Sequence, residues 1–262
     1  MATYSSPPHL ARILIYPIKS FDAVDVASAD VLPSGALRND RRWALVDADD
    51  RFVNGKRSPL MHRIRSQFDL EHERVELSFG GDTVSFQMSE DRTDLEHWLS
   101  ECLETAVRLV ENIETGFPDD VDAPGPTIIS TATLATVAAW FPGLTVDEAR
   151  RRFRANLEID GVEPFWEDRL YGREGELVRF RIGDVEFCGT NPCQRCVVPT
   201  RDSHTGDVIP DFQNQFARQR EFTLPDWAER SRFNHFYRLT VNTMPGSRGG
   251  TLSRDDRLVV LS

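Results

Sequence analysis

The sequence predicts a mainly β protein whose second half is α+β. Three observations carry that reading. The first half breaks into short runs of alternating apolar and polar residues separated by turn signals, the pattern of a barrel or a sandwich. A stretch rich in Pro, Gly and Asp, 116–126 (GFPDDVDAPGP), then interrupts the pattern and reads as a linker. Beyond it, strand-like runs are mixed with a few helical segments. The length of 262 residues suits two modest domains or one large one.

Taken in order, 9–16 (HLARILIY) is apolar and β-branched, and 24–32 (VDVASADVL) alternates, so both read as strands. The runs 42–47 and 51–53 flank Ala48-Asp49-Asp50, a hairpin signal. Three short alternating runs follow, 68–70, 74–79 and 83–87, the last two separated by Gly80-Gly81-Asp82. Helical spacing over 94–102 precedes a strand-like 106–110. After the linker come 127–130 and a helix near 131–140. Thr145-Val-Asp-Glu148 is a capping box opening a helix through Arg152. The runs 157–159, 178–182, 185–188, 236–241 and 257–261 predict strands, and 211–221 a helix.

Composition excludes several classes. No apolar run approaches the roughly 18 residues of a membrane span, and the polar, proline-containing 1–10 does not read as a secretory leader, so the expectation is a cytoplasmic protein. A net charge of −11 repels phosphate backbones, which makes nucleic acid an unsuitable general partner. A local basic pocket for a small anion is compatible with that charge. Of 31 basic residues only Lys19 and Lys56 are lysines. Four cysteines (102, 188, 193, 196) are not a disulfide framework in such a chain. The six histidines are scattered, with none at HxxxH or HxH spacing.

The residues that stand out chemically are Asn191-Pro192-Cys193-Gln194-Arg195-Cys196. A CxxC is half of a zinc site, a redox pair, or one thiolate ligand for a soft metal with a neighbouring cysteine. Zinc needs further ligands, and only Cys188 and His204 lie close in sequence. A redox pair normally precedes a helix, whereas Val197-Val198-Pro199 follows here. Arg195 favours thiolate character at either sulfur. Elsewhere, Arg154-Ala155-Asn156 offers a guanidinium and an amide suited to a phosphate or a heterocycle edge. Tyr16-Pro17-Ile18-Lys19-Ser20 ends the first strand with an ammonium and a hydroxyl, and Asp40-Arg41-Arg42-Trp43 opens another.

These segments occur together and in order: YPIKS, DRRW, FVNGKR, FRAN, PFWED, IGD, PCQRC and DSHTG. In that order they resemble the MOSC family, in the version with an N-terminal MOSC β-barrel domain, over 9–262. Within it the chain is most similar to the amidoxime-reducing molybdenum enzymes, and also to the C-terminal domain of molybdenum cofactor sulfurases. The resemblance implies an N-terminal β-barrel-like domain over 1–118 and a strand-rich MOSC β-barrel domain with a few helices over 119–262. It implies a molybdopterin-type molybdenum cofactor bound between them, with Cys196 as the metal's thiolate ligand and Cys193 as a neighbour; soft thiolate ligation suits the metal. Cofactor contacts carry over to Lys19, Ser20, Arg41, Arg154 and Asn156, and to Arg57. Where relatives commonly read Asp-x-Ser-Pro, this chain has Ala123-Pro124-Gly125-Pro126-Thr127, so Thr127, Ser130 or Thr131 stands in for the serine. In the stretch after CxRC, Arg201 would narrow or charge the substrate mouth.

The implied activity is reduction of N-hydroxylated or N-oxygenated compounds, with electrons from a separate ferredoxin, flavoprotein or cytochrome, since no cysteine cluster for an iron–sulfur domain is present. One alternative is a carrier of cofactor or sulfur. Pyridoxal phosphate is not expected, because its Schiff base needs a lysine and only two exist. Another alternative is a non-enzymatic domain stabilised by zinc on Cys188, Cys193 and Cys196.

Overall fold

The structure is a computed structural model describing residues 7–246 and 249–261. The reading of 1–10 as lacking a leader falls largely on residues 1–6, outside the described residues.

The chain begins with β1 (His9–Ile15), β2 (Val24–Val26), β3 (Ser28–Val31), β4 (Trp43–Val46) and β5 (Phe52–Val53). It continues with β6 (Arg65–Asp69), β7 (Arg74–Phe79), β8 (Asp82–Gln87), α1 (Arg92–Cys102) and β9 (Arg108–Glu111). After the linker come β10 (Ile128–Ser130), α2 (Thr131–Ala139), α3 (Val146–Phe153), β11 (Leu157–Asp160), β12 (Val178–Ile182) and β13 (Val185–Gln194). Helix α4 (Phe212–Phe222), β14 (Arg238–Pro245), β15 (Gly250–Ser253) and β16 (Leu258–Val260) complete it. The strand-rich, α+β class predicted from sequence is what the fold shows.

The largest sheet has eight strands in the order β16-β12-β13-β14-β10-β11-β1-β2. Its first-half members explain how the halves meet. β1, whose Leu10 and Ile13 are fully buried, pairs antiparallel with β11 (Ile13 opposite Leu157) and with β2 (Ile15 opposite Val24). β10 and β11 run parallel, a pairing that needs a crossover, and α2 and α3 supply it. As a barrel the sheet is incomplete: its ladder does not close. The near ends of β1 and β16 meet at one isolated bridge, His9 with Arg257, backed by the amide of Leu10 donating to Asp256 O at 2.9 Å. β16 is three residues long, too short for a full ladder against β1.

The continuous alternation of 24–32 proves to be two strands. β2 stays on the large sheet while β3 pairs with β15 (Ser28 opposite Ser253), a strand the sequence reading did not anticipate. Alternation tells which face is buried but not which sheet is joined.

The remaining first-half strands form two small sheets, β5-β4-β9 and β6-β7-β8, over one core with α1. The β4–β5 hairpin forms as its turn residues predict: Asp47 Oδ1 accepts the amides of Asp49 and Arg51, both at 3.0 Å. Cys102, at the end of α1, packs into this core. In the second half Ser130 caps α2, accepting from Thr133 N at 3.1 Å, and Thr145 caps α3, accepting from Glu148 N at 3.1 Å. The reciprocal half of the capping box is not made. Glu148 instead binds Arg152 (2.6 Å) and the Ser203 hydroxyl (2.5 Å). The 116–126 segment crosses back over the large sheet and is pinned there: Gly125 N donates to Thr243 O at 3.0 Å, and a Cβ at Gly125 would stand 2.4 Å from Thr243 Oγ1.

Candidate functional site

A cavity of about 520 Å³ lies where the loops after β1 and β5, the 118–125 segment, the α3–β11 turn and the end of β13 converge. Ten arginines and lysines line it against four aspartates, inverting the sign of an acidic chain. Such a concentration of guanidinium and ammonium groups is suited to an anion.

Six of the seven residues singled out from sequence line this cavity: Lys19, Ser20, Arg41, Arg154, Asn156 and Cys196. Arg57 does not. Its two guanidinium nitrogens both donate to Asp47 Oδ2 at 3.0 Å, on the outer side of the hairpin.

Lys19 is 7% exposed and donates to Phe117 O (2.8 Å) and Asp119 Oδ1 (2.9 Å). Burial lowers its pKa, with Asp119 opposing. Lys56 reaches the same Asp119 oxygen at 3.3 Å, so the chain's two lysines share one carboxylate. Desolvation alone would raise the Asp119 carboxyl; Lys19, Arg41 and Lys56 outweigh it and hold it well below the usual range. Ser20 does not face outward as a free hydroxyl. Its Oγ accepts from Gly55 N at 3.1 Å and so fixes the turn that carries Lys56.

Arg41 pairs with Asp40, and its Nη1 also reaches Asn156 Oδ1 at 3.3 Å. Arg154 lies over the Tyr16 ring at 4.2 Å and donates to Phe21 O at 2.7 Å. Burial raises the Tyr16 phenol to about 12, against the opposing fields of Arg154 and Arg41, so it stays neutral beneath them. Ser20, Arg41 and Arg154 all have positive φ (77°, 49° and 51°), a conformation unfavourable for residues with a Cβ. Backbone held there collects at binding and catalytic sites.

Asn156 is 1% exposed and acts within the fold. Its Oδ1 accepts from Thr127 N and Arg41 Nη1, both at 3.3 Å, and its Nδ2 donates to Leu14 O at 3.0 Å. It couples β1, β10 and Arg41. Of the three hydroxyls weighed for the missing serine, only Thr127 lines the cavity. Ser130 is consumed by its cap, and Thr131 binds Glu158 Oε1 at 3.0 Å.

Cys193 and Cys196 line the cavity, whereas Cys188 does not. Arg195 donates to Cys193 Sγ (3.3 Å), Thr240 Oγ1 (3.4 Å) and Phe153 O (2.7 Å). Among the described residues no three His, Cys, Asp or Glu side chains gather as a metal-binding group, which leaves the zinc alternative without a ligand set. Sequence reasoning missed Lys56, Asp119 and Arg238. Lys56 had a signal, its rarity. Asp119 had none, since aspartates in a Pro/Gly-rich stretch normally serve turns.

Fold and site together define a strand-rich protein with a basic, cysteine-containing cleft between its two halves. The MOSC N-terminal beta barrel domain family matches residues 8–115 and the MOSC domain family residues 127–255, so the chain belongs to the MOSC-domain proteins. It is 26% identical over 234 residues to mitochondrial amidoxime-reducing component 1 of Danio rerio, covering 75% of this chain and 70% of that protein. It is 25% identical over 246 residues to molybdenum cofactor sulfurase of Drosophila grimshawi, covering 80% of this chain and 30% of the sulfurase, so it spans under a third of that relative. Among solved structures, the YUAD protein from Bacillus subtilis covers 96% of this chain and 94% of its own, at a TM-score of 0.43 and 12% identity. No helix among the described residues is long and apolar enough to cross a membrane.

Proposed function

We propose that the chain binds a molybdenum cofactor in this cleft and reduces N-hydroxylated or N-oxygenated compounds with electrons from a separate donor protein. The observation that carries the reading is the pairing, in one cavity, of a cysteine sulfur with guanidiniums lacking carboxylate partners. The residues fit the group. Among the described residues, Arg195 and Arg238 each leave a buried Nε without a hydrogen-bond partner, donors that an added acceptor would satisfy. A relative named for amidoxime reduction, matched over most of both chains, supports the reaction class.

When bound, the cofactor supplies the two-electron oxygen-transfer chemistry. The chain's residues supply the rest. Cys196 is the thiolate that would hold molybdenum. Lys19, Arg41 and Arg154 would hold the cofactor's phosphate. Asn156 keeps Arg41 and Thr127 in place, and Ser20 keeps Lys56 in place. Neutral Tyr16 is a flat support beneath Arg154. Division at 118/119 would assign Lys19, Ser20, Arg41 and Lys56 to the first domain and Arg154, Asn156 and Cys196 to the second, so neither would bind alone. Arg57 would act only at one remove, by bracing the hairpin through Asp47.

The test is expression in a host that makes the cofactor, followed by molybdenum, zinc and oxidised-pterin measurement for the wild type and Cys196→Ser. Near-stoichiometric molybdenum and pterin, with molybdenum lost in the variant, is the expected result. Zinc without pterin would overturn the reading. A second reading, transfer of sulfur or cofactor, is favoured by one specific contact, Arg195 on Cys193 Sγ, and by the sulfurase relatives. Turnover with an artificial reductant separates the two.

A further inference from the structure

The cleft holds more unneutralised cation than one phosphate requires. Among the described residues, no carboxylate lies within 4.0 Å of Arg151, Arg154, Arg195, Arg201 or Arg238, although each lines the cavity. Their hydrogen-bond partners, where present, are neutral: Phe21 O for Arg154, Gly206 O for Arg201, Pro192 O for Arg238. Arg151 is exposed and has no hydrogen-bond partner among the described residues.

These cations fall into two groups. The main influences on Asp119 are Lys19, Arg41 and Lys56. Those on the His62 imidazole, beyond its burial and its bond to Gly55 O, are Arg154, Arg201 and Arg65. Arg154 lies between the two sets, since it also feels Arg41 and Asp119. The first already contains Asp119 and Asp40. In the second, the nearby carboxylates are engaged: Asp22 by Arg65 at 3.3 Å, Glu148 by Arg152 at 2.6 Å, and Asp202 by Arg152 at 3.6 Å. Arg151 and Arg201 are left over.

Their position is close to the cysteine. The 3-10 turn Val198–Thr200 begins two residues after Cys196, and Arg201 ends it, donating its amide to Val198 O at 3.0 Å. Helix α3, which carries Arg151, packs on that turn from one side. From the other, Gly55 brings His62 and Val198 together, a Cβ there standing 3.1 Å from His62 Nε2 and 3.5 Å from Val198 Cγ2. The His62 ring is held below the ordinary histidine pKa, first by burial, and therefore adds a neutral group at neutral pH.

We propose that Arg151 and Arg201, backed by Arg65 and His62, form a second anion subsite beside Cys196 that selects N-hydroxylated substrates bearing a carboxylate or phosphate. This rests on the reductase reading. Lys19, Arg41 and Arg154 serve the cofactor's phosphate, and Arg151 and Arg201 face the substrate's anionic end.

The test compares benzamidoxime with 4-carboxybenzamidoxime on the cofactor-loaded protein, using reduced methyl viologen as electron source. We expect kcat/KM to favour the carboxylate-bearing compound at least tenfold at low salt. The ratio should shrink as sodium chloride rises and fall to about one in the double variant R151Q/R201Q. The variant R151K/R201K, which keeps the charge, should retain most of the ratio and shows that any loss is not misfolding. Equal kcat/KM values in the wild type, or a ratio surviving in the glutamine variant, overturn the proposal. If neither compound is reduced, the reductase reading fails. Calorimetry then tests the subsite separately: binding of 4-carboxybenzamidoxime that disappears in R151Q/R201Q supports it, and absence of binding in the wild type overturns it. Released cofactor that carries a nucleotide in the wild type and loses it in the variant assigns these arginines to the cofactor and also overturns the proposal.

Discussion

Arg195 donates to the sulfur of Cys193 at 3.3 Å, while the other cysteine of the pair, Cys196, lines the same cavity with no guanidinium bonded to it among the described residues. The two thiols are therefore chemically distinct despite lying three residues apart. Arg195 is anchored in turn by Phe153 O, so Cys193 is tied to the C-terminal end of α3.

That asymmetry yields opposite expectations for two single variants. Cys196→Ser should lose bound molybdenum. Cys193→Ser should keep it, and should lose activity only if the protein transfers sulfur. Metal content and turnover, measured together, check both.

Lys19 and Asp119 give a second expectation. Lys19→Ala removes a charged, nearly buried donor, a loss of about 1.5–3 kcal/mol, or roughly 10- to 100-fold in anion affinity. Asp119→Asn should act the other way, because the carboxylate competes with any incoming anion for Lys19 and Lys56. Titration of both variants with inorganic phosphate reads the opposite signs.

Arg41 and Arg154 are held at positive φ, at a cost on the order of 1–3 kcal/mol each. Arg154→Gly relieves that strain and forfeits the guanidinium. We expect unfolding stability to hold or rise slightly while pterin content collapses. Denaturant unfolding beside pterin fluorescence distinguishes this from simple destabilisation.

Glu167 supplies a pH dependence unrelated to the cleft. It is 2% exposed, and its Oε2 accepts from Thr133 Oγ1 at 3.0 Å while Oε1 has no hydrogen-bond partner among the described residues. Burial, then the neighbouring Asp168, pushes its carboxyl up to about 7 from an ordinary 4.5. The folded state therefore holds a proton that the unfolded chain has released across that window. Stability from this group is complete below about pH 4.5 and declines as pH rises, by roughly 3 kcal/mol once above 7. Glu167→Gln, neutral at every pH, should flatten that decline in urea unfolding curves taken at pH 5 and pH 7.5.

Asp168 and Arg220 form a buried pair, at 4% and 1% exposure. Removing one partner strands the other charge, so Asp168→Ala should cost about 3–5 kcal/mol. The same unfolding measurement reads it.

Much of this protein is legible without coordinates. The β1 run, the Ala48–Asp50 hairpin, α1, the Thr145 cap and most second-half strands follow from local periodicity and turn chemistry, which act over a few residues. The candidate residues Lys19, Arg41, Arg154 and Cys196 stand out through a shared order of short motifs, and all four line one cavity. Arg57 was not distinguishable on that basis, because two basic neighbours in a turn, Lys56 and Arg57, look alike until the backbone aims one inward and the other at Asp47.

Local sequence dictates the class of structure and the chemical types in the cleft: short strands, few helices, one CxxC, two lysines. Packing of the whole chain sets which carboxylates neutralise which cations, joins β1 and β2 to the sheet of the other half, pairs β3 with β15, and leaves Arg151 and Arg201 without a carboxylate partner among the described residues. Those outcomes depend on contacts between residues up to more than two hundred positions apart, such as Ser28 with Ser253. Local propensity carries no information about such distant partners. Strand register and burial select them when the whole chain packs.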